Sequence, residues 1–274
     1  METLNHLLNR LFEAMLRPFH GMNPVYGLAG ISVVTGILML VVFRYTSDQK
    51  GIKRAKNHVK AHFLAIRLYK DDLAQMLTTM KNIIVSNLRY MSKSLKPMLF
   101  MFVPVALILI QLDSRYEHRP FKVGEATVVT VRLGAGEESL LHNVSLVVPD
   151  GIQIETPAVR IAARAEVCWR IRMQKEGSHD LQVLGGPQPY TKRIEVSSDL
   201  MLLASNKERQ GFLASALSPA ETGLPAASPI ESITMTYPKR DLKAWGMSVN
   251  WLVGFFVVSL IAGFSLKGVF KVEI

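Results

Sequence analysis

His58 and His62 stand four residues apart, the spacing that sets two imidazoles on one helical face where a divalent metal can bridge them. A zinc site needs three or four protein ligands. Here the pair is flanked by Lys56 and Lys60, with no carboxylate or cysteine close by in the chain, so we assign it no metal and the protein no cofactor. Cys168 is the single cysteine, which leaves no internal disulfide to staple the chain. It lies in the run Val167-Cys-Trp-Arg-Ile-Arg-Met173, whose alternation puts Trp169 and Ile171 on one face and Cys168, Arg170 and Arg172 on the other. We read the thiol as passive. The sequence has no Gly-rich phosphate loop, no serine elbow and no Cys/His cluster. Its long apolar runs carry no acid of the kind that pumps and proton relays place inside the membrane. The expectation is a protein that is not an enzyme.

Two residue classes remain. Twelve Lys and Arg lie between residues 44 and 96 against three acids, a surplus of nine in a chain whose net charge is +10. Of these, Lys50, Lys53, Arg54, Lys56 and Lys60 cluster just after an apolar run, where each can add about 1 kcal/mol of attraction to anionic headgroups. Met76, Met80, Met91, Met98 and Met101 fall close together, and flexible, polarizable Met suits a surface that must accept many apolar shapes. Nucleic acid is not an expected partner, because the basic residues lack the interleaved aromatics on which bases stack.

These residues need elements to hold them. Three runs carry no charge: 24–43, 97–112 and 245–266. A helix crossing the hydrocarbon needs about 20 apolar residues, which the first and third supply. The second has sixteen residues and contains Pro104; at ~1.5 Å per residue it reads as a short span, flanked by snorkelling Lys93 and Lys96. Residues 1–23 are an amphipathic helix in which Leu4, Leu7, Leu8, Leu11, Phe12, Met15 and Phe19 share a face. It suits the headgroup layer, and equally a protein surface, since periodicity does not name the apolar partner.

Between the first two spans, residues 44–96 read as a basic hairpin of two helices, about 48–69 and 73–94, turning at Lys70-Asp71-Asp72. Apolar positions from Ile52 to Ile83 recur every three or four residues, and Asp72 with Gln75 has capping-box spacing. Residues 113–244 hold sixteen bases and sixteen acids, so the positive surplus sits almost wholly in the hairpin. The positive-inside rule then predicts a plasma (inner) membrane protein with the hairpin and the tail 267–274 in the cytoplasm, and the N-terminus and residues 113–244 outside.

Between Pro120 and Ser198 the period falls to two. Seven short alternating runs, punctuated by Gly134-Ala-Gly136, Asp150-Gly151, Glu176-Gly177 and Gly185-Gly-Pro187, predict an external immunoglobulin-like β-sandwich over 113–199 with Trp169 as its main core aromatic. Residues 200–244 read as a linker rich in Ser, Ala and Pro, with one optional strand at Ile230–Thr236. The expected fold class is therefore an α-helical membrane protein of three transmembrane helices and a cytoplasmic helical hairpin, carrying an all-β sandwich outside.

Three stretches, Val42–Arg54 (VFRYTSDQKGIKR), Asn87–Met98 (NLRYMSKSLKPM) and Phe264–Phe270 (FSLKGVF), together with this layout, resemble the YidC/Oxa/Alb membrane insertase superfamily. The resemblance is to the reduced three-span branch that includes archaeal YidC-like proteins and the insertase subunit of the endoplasmic-reticulum membrane complex, and it covers residues 1–112 and 245–274. It implies a hydrophilic groove open to the cytoplasm, with Arg44, Thr35, Gln111, Asn250, Met76, Met80, Met98 and Met101 as candidate groove or substrate contacts. It also implies hydrophobic substrate polypeptides as partners, with membrane lipids and a larger membrane complex beside them. Arg44 sits at the boundary of the first span, whereas relatives often carry a groove arginine deeper. The β insertion between spans two and three is a further departure. The alternative expectation is an envelope scaffold or sensor whose β-sandwich binds a partner.

Overall fold

A computed structural model describes residues 2–49, 51, 53–54, 57, 73–186, 188–209, 220–244, 246–270 and 272. Most of the expected first hairpin arm, with Lys50, Lys56, Lys60 and the His58–His62 pair, lies outside the described residues. The chain divides into two compact units, one of Met1–Gly27 with Ile108–Trp251, the other of Leu28–Leu107 with Leu252–Ile274.

The first unit is mostly β. Strands β1 (Ala126–Leu133), β3 (Ile152–Ile154), β4 (Val159–Ile161), β5 (Glu166–Met173), β8 (Asn206–Glu208) and β9 (Ile230–Met235) form one antiparallel sheet of order β3-β5-β1-β9-β8, with β4 also on β5. Strands β2 (Ser145–Val147), β6 (Gly177–Leu184) and β7 (Tyr190–Val196) form a second sheet, β2-β6-β7. Alternation decides what is buried: in β1 and β5, Val129 pairs with Trp169 and Val131 with Val167, all four inside, while Arg132 and Arg170 face out. Leu181 and Val183 of β6 and Ile194 and Val196 of β7 complete a core shared by both sheets. Trp169 is buried as expected, and a second aromatic centre stands beside that expectation: Phe121 stacks on Tyr237 with ring centroids 4.6 Å apart.

The boundary expected at residue 199 is corrected. Strand β9 lies inside the larger sheet, paired with β1 from Val129↔Met235 to Arg132↔Ser232 and, after a one-residue shift, at Leu133↔Ile230, and β8 extends it. Ile230, Ile233, Met235, Leu203 and Leu224 are core residues, so 200–244 completes the β unit instead of linking it to the membrane. The expected span 245–266 is also corrected. Strands β10 (Leu242–Ala244) and β11 (Met247–Val249) make a hairpin whose turn holds Gly246 at φ +83°, a conformation that favours glycine. Its helix is therefore shorter.

The α-helices whose two ends both fall among the described residues are α1 (Glu2–Leu16), α2 (Pro24–Thr46), α3 (Leu73–Tyr116) and α4 (Trp251–Leu266). Two stretches among the described residues are long and apolar enough to cross a membrane, Pro24–Thr46 and Met98–Tyr116. The sixteen residues of α4 are apolar but reach only about 24 Å at ~1.5 Å per residue, short of a hydrocarbon core of about 30 Å. The expected break between hairpin and second span at 96/97 is absent: α3 is one helix of 44 residues that runs through Pro97 and Pro104. Within the second unit, α2 and α4 approach closely at small residues. A Cβ added at Gly36 would meet the Ser259 carbonyl oxygen at 2.6 Å and the Ala262 methyl at 3.2 Å.

Candidate functional site

The candidate groove residues do not share one environment. Thr35 is buried in α2 of the second unit, one residue before the Gly36 contact. Arg44 is exposed in the last turn of α2. Lys53 and Arg54 are exposed on helical backbone beyond it. Gln111 belongs to the first unit, is buried, and accepts hydrogen bonds from the Arg115 guanidinium through both its backbone carbonyl, at 3.0 Å, and its side-chain oxygen. Asn250, also in the first unit, is exposed and directly precedes α4, the position a capping side chain takes. In this structure Gln111 holds the Arg115 guanidinium.

The methionines fare differently. Met76, Met80, Met98 and Met101 all lie on α3. Met80, Ile84, Leu88, Met91, Leu95, Met98 and Phe102 follow one another at steps of four, four, three, four, three and four, which keeps them on one side of a helix. Every one is exposed, from 44% at Met80 to 69% at Phe102. The stripe enters the candidate span at Met98 without a break. Met101 is half-buried beside it.

A second feature, in the first unit, escaped the sequence reading. A cavity of about 770 Å³ is lined by Glu13 and Leu16 of α1, Gly27 of α2, Arg115 of α3, Glu195 of β7 and the loop through Asp199. None of the candidate groove residues lines it. Helix α1 closes one side: Phe12 and Leu16 are buried, while Leu7 and Leu11 of the same helix are exposed. The guanidinium of Arg115 lies 5.5 Å from the centroid of the Phe12 ring, a cation–π contact. Arg115 is 5% exposed and Glu195 8%. Among the described residues neither has an ion-pair partner within 4.0 Å.

Their surroundings explain how they are held. Ser178 donates to the Glu195 carboxylate, and the Glu195 backbone N–H donates to the Tyr237 hydroxyl at 3.2 Å. Burial raises the Tyr237 phenol above its ordinary range, so it stays protonated. Arg193, also on the cavity wall, is tied to Asp180 at 3.1 Å, and that hydrogen bond raises its pKa. Lys192, fully buried one residue away, donates to Glu221 and to the Ala204 carbonyl, each at 2.6 Å. Desolvation lowers its pKa against the pull of Glu221. A signal for this cluster existed in the alternation of Tyr190, Lys192, Ile194 and Val196, which puts a lysine on the core face. Arg115 had a weaker one, its place four residues after Gln111 at the end of an apolar run.

The sequence matches no protein-family model, and no curated protein resembles it at a significant level.

Proposed function

We propose that this protein is a non-enzymatic membrane protein insertase. In this reading α2, the second half of α3 and, as a short span, α4 are three transmembrane helices, and the β unit is an immunoglobulin-like sandwich on the outer side. The first half of α3 belongs to a cytoplasmic basic hairpin. The support is the stripe on α3. Seven large apolar side chains stay exposed over six turns and run straight into a candidate span. Leaving apolar surface in water costs roughly 25 cal/mol per Å², so a stripe of this length serves a partner with an apolar face. An incoming transmembrane segment is such a partner. It can exchange water for Met80, Met91 and Met98 and then for lipid without leaving an apolar track, and Met accommodates many side-chain shapes. The Lys and Arg surplus after Arg44 would hold the track against anionic headgroups.

Photocrosslinkers at Met80, Met91 and Met98 are expected to capture nascent membrane proteins with short translocated tails, and depletion of the protein is expected to slow their insertion. Unchanged insertion after depletion, with no nascent-chain adducts, sinks the proposal. A phenotype lost on deleting 120–198 but untouched by polar substitutions along the stripe would favour the scaffold or sensor reading.

A further inference from the structure

The cavity in the β-bearing unit holds two buried charges of opposite sign that do not neutralise each other. Burying a charge is costly unless it is paired or hydrogen-bonded, and the effective penalty is several kcal/mol per ion. Arg115 is hydrogen-bonded only to the neutral Gln111 and lies over the face of Phe12, while the exposed Glu13 carboxylate acts on it from beyond ion-pair distance. Glu195 is satisfied by the Ser178 hydroxyl. Each keeps capacity for a charged partner. Both line the same cavity, whose volume of about 770 Å³ lies in the range of small-molecule sites, roughly 300–1,000 Å³.

A ligand that completes both must carry an anion for the guanidinium and an N–H cation for the carboxylate. The cavity's other walls say where it comes from. Arg115 sits in the last turn of the candidate span Met98–Tyr116, and Gly27 sits in the first turns of the span Pro24–Thr46. The two spans thus contribute their ends, the level at which headgroups lie, to one cavity. Leu16 and Phe19 add apolar wall beside them. Opposite its buried face, α1 exposes Leu7 and Leu11, as a helix lying in the headgroup layer does.

We propose that this cavity binds the headgroup of an aminophospholipid, with the phosphate on Arg115 and the ammonium on Glu195. The ammonium N–H groups are what a carboxylate can hydrogen-bond and a quaternary amine cannot. Glu13, exposed on α1 at the same cavity, disfavours a purely anionic occupant. The site rests on the membrane placement of the two spans and not on what the α3 stripe receives. Lipid retention and nascent-chain crosslinking therefore fail independently.

The test uses the full-length protein in nanodiscs of phosphatidylethanolamine and phosphatidylglycerol, and in parallel discs with phosphatidylcholine in place of the ethanolamine lipid. Lipids retained after transfer to mild detergent are counted by native mass spectrometry. One phosphatidylethanolamine per protein is expected, preferred over phosphatidylcholine by about tenfold, which is ~1.4 kcal/mol. Glu195→Gln is expected to abolish that preference and Arg115→Gln to lower the retention of both lipids, while the unfolding temperature shows the protein still folded. If Arg115→Gln does not fold, Glu195→Gln alone decides. Equal retention by the parent and the Glu195→Gln variant overturns the assignment, as does equal retention of phosphatidylethanolamine and phosphatidylglycerol. In a further arm, thermal protection by soluble phosphoethanolamine without any retained lipid would assign the site to a free zwitterion and overturn the lipid.

Discussion

The two units of this chain treat apolar side chains in opposite ways. In the β unit, Val129, Val131, Val167, Ile171, Ile194 and Ile233 are wholly buried, and the outward positions between them carry Arg132, Arg170 and Arg172. Along α3, Met80, Ile84, Leu88, Met91, Leu95, Met98 and Phe102 face outward. Fold propensity does not separate the two, since both obey their own period. What differs is the surroundings that the proposed function assigns to each surface: water around the β unit, and lipid or an apolar polypeptide along the helix. Charge follows the same division. The β unit buries Lys192 but gives it Glu221, whereas Arg44, Lys53, Arg54 and Lys81 of the helical part are left at the surface.

The largest expected effect comes from breaking that rule inside the β unit. Lys192→Ala strands the Glu221 carboxylate in a desolvated place, and losing one partner of a buried pair costs about 3–5 kcal/mol. Denaturant unfolding of the full chain should show it, and Lys192→Met with Glu221→Gln should recover most of the loss. Recovery failing in the double variant would mean that the pair is valued for more than neutralising itself.

An intermediate effect is expected in the helical unit. Gly36→Leu puts a side chain where the Ser259 carbonyl leaves 2.6 Å, and forcing extra methylenes into a packed contact costs about 1–3 kcal/mol. Protease resistance of the protein in bilayers should fall, with Gly36→Ala less affected than Gly36→Leu. Indifference to both would show that α2 and α4 do not depend on this contact.

The smallest is electrostatic. Arg119 grips both oxygens of Glu125 at 2.7 and 2.9 Å, and that hydrogen bond holds the Glu125 carboxyl below its ordinary value of 4.5. The folded state therefore binds fewer protons than the unfolded chain between the two values. The pair's contribution is complete above pH 4.5 and is lost as pH falls through the folded pKa. Being partly exposed, the pair should be worth about 1 kcal/mol or less. Glu125→Gln should flatten that part of the stability–pH curve without changing stability much at neutral pH.

Much of the β unit was legible because alternation is a property of a few adjacent residues. Strands β1 to β7 fall where the alternating runs lie, and Trp169 is buried where a core-facing position was expected. Strand β9 carries the same kind of pattern, but pattern does not name a partner. Its place between β1 and β8 joins residues about a hundred positions apart, and a linker-like stretch before it obscured the connection. The prolines of α3 misled in the other direction. A proline usually ends a helix by removing a donor and crowding the preceding turn, yet α3 continues through both Pro97 and Pro104.

The amino-acid order by itself determined which segments are continuously apolar, which alternate, and where positive charge accumulates, because each depends only on near neighbours in the chain. Tertiary structure alone decided that Lys192 finds Glu221 and that Arg115 and Glu195 share a cavity. These are meetings of residues far apart in sequence. Local periodicity fixes the face on which a side chain stands, but only the packed chain fixes what stands opposite.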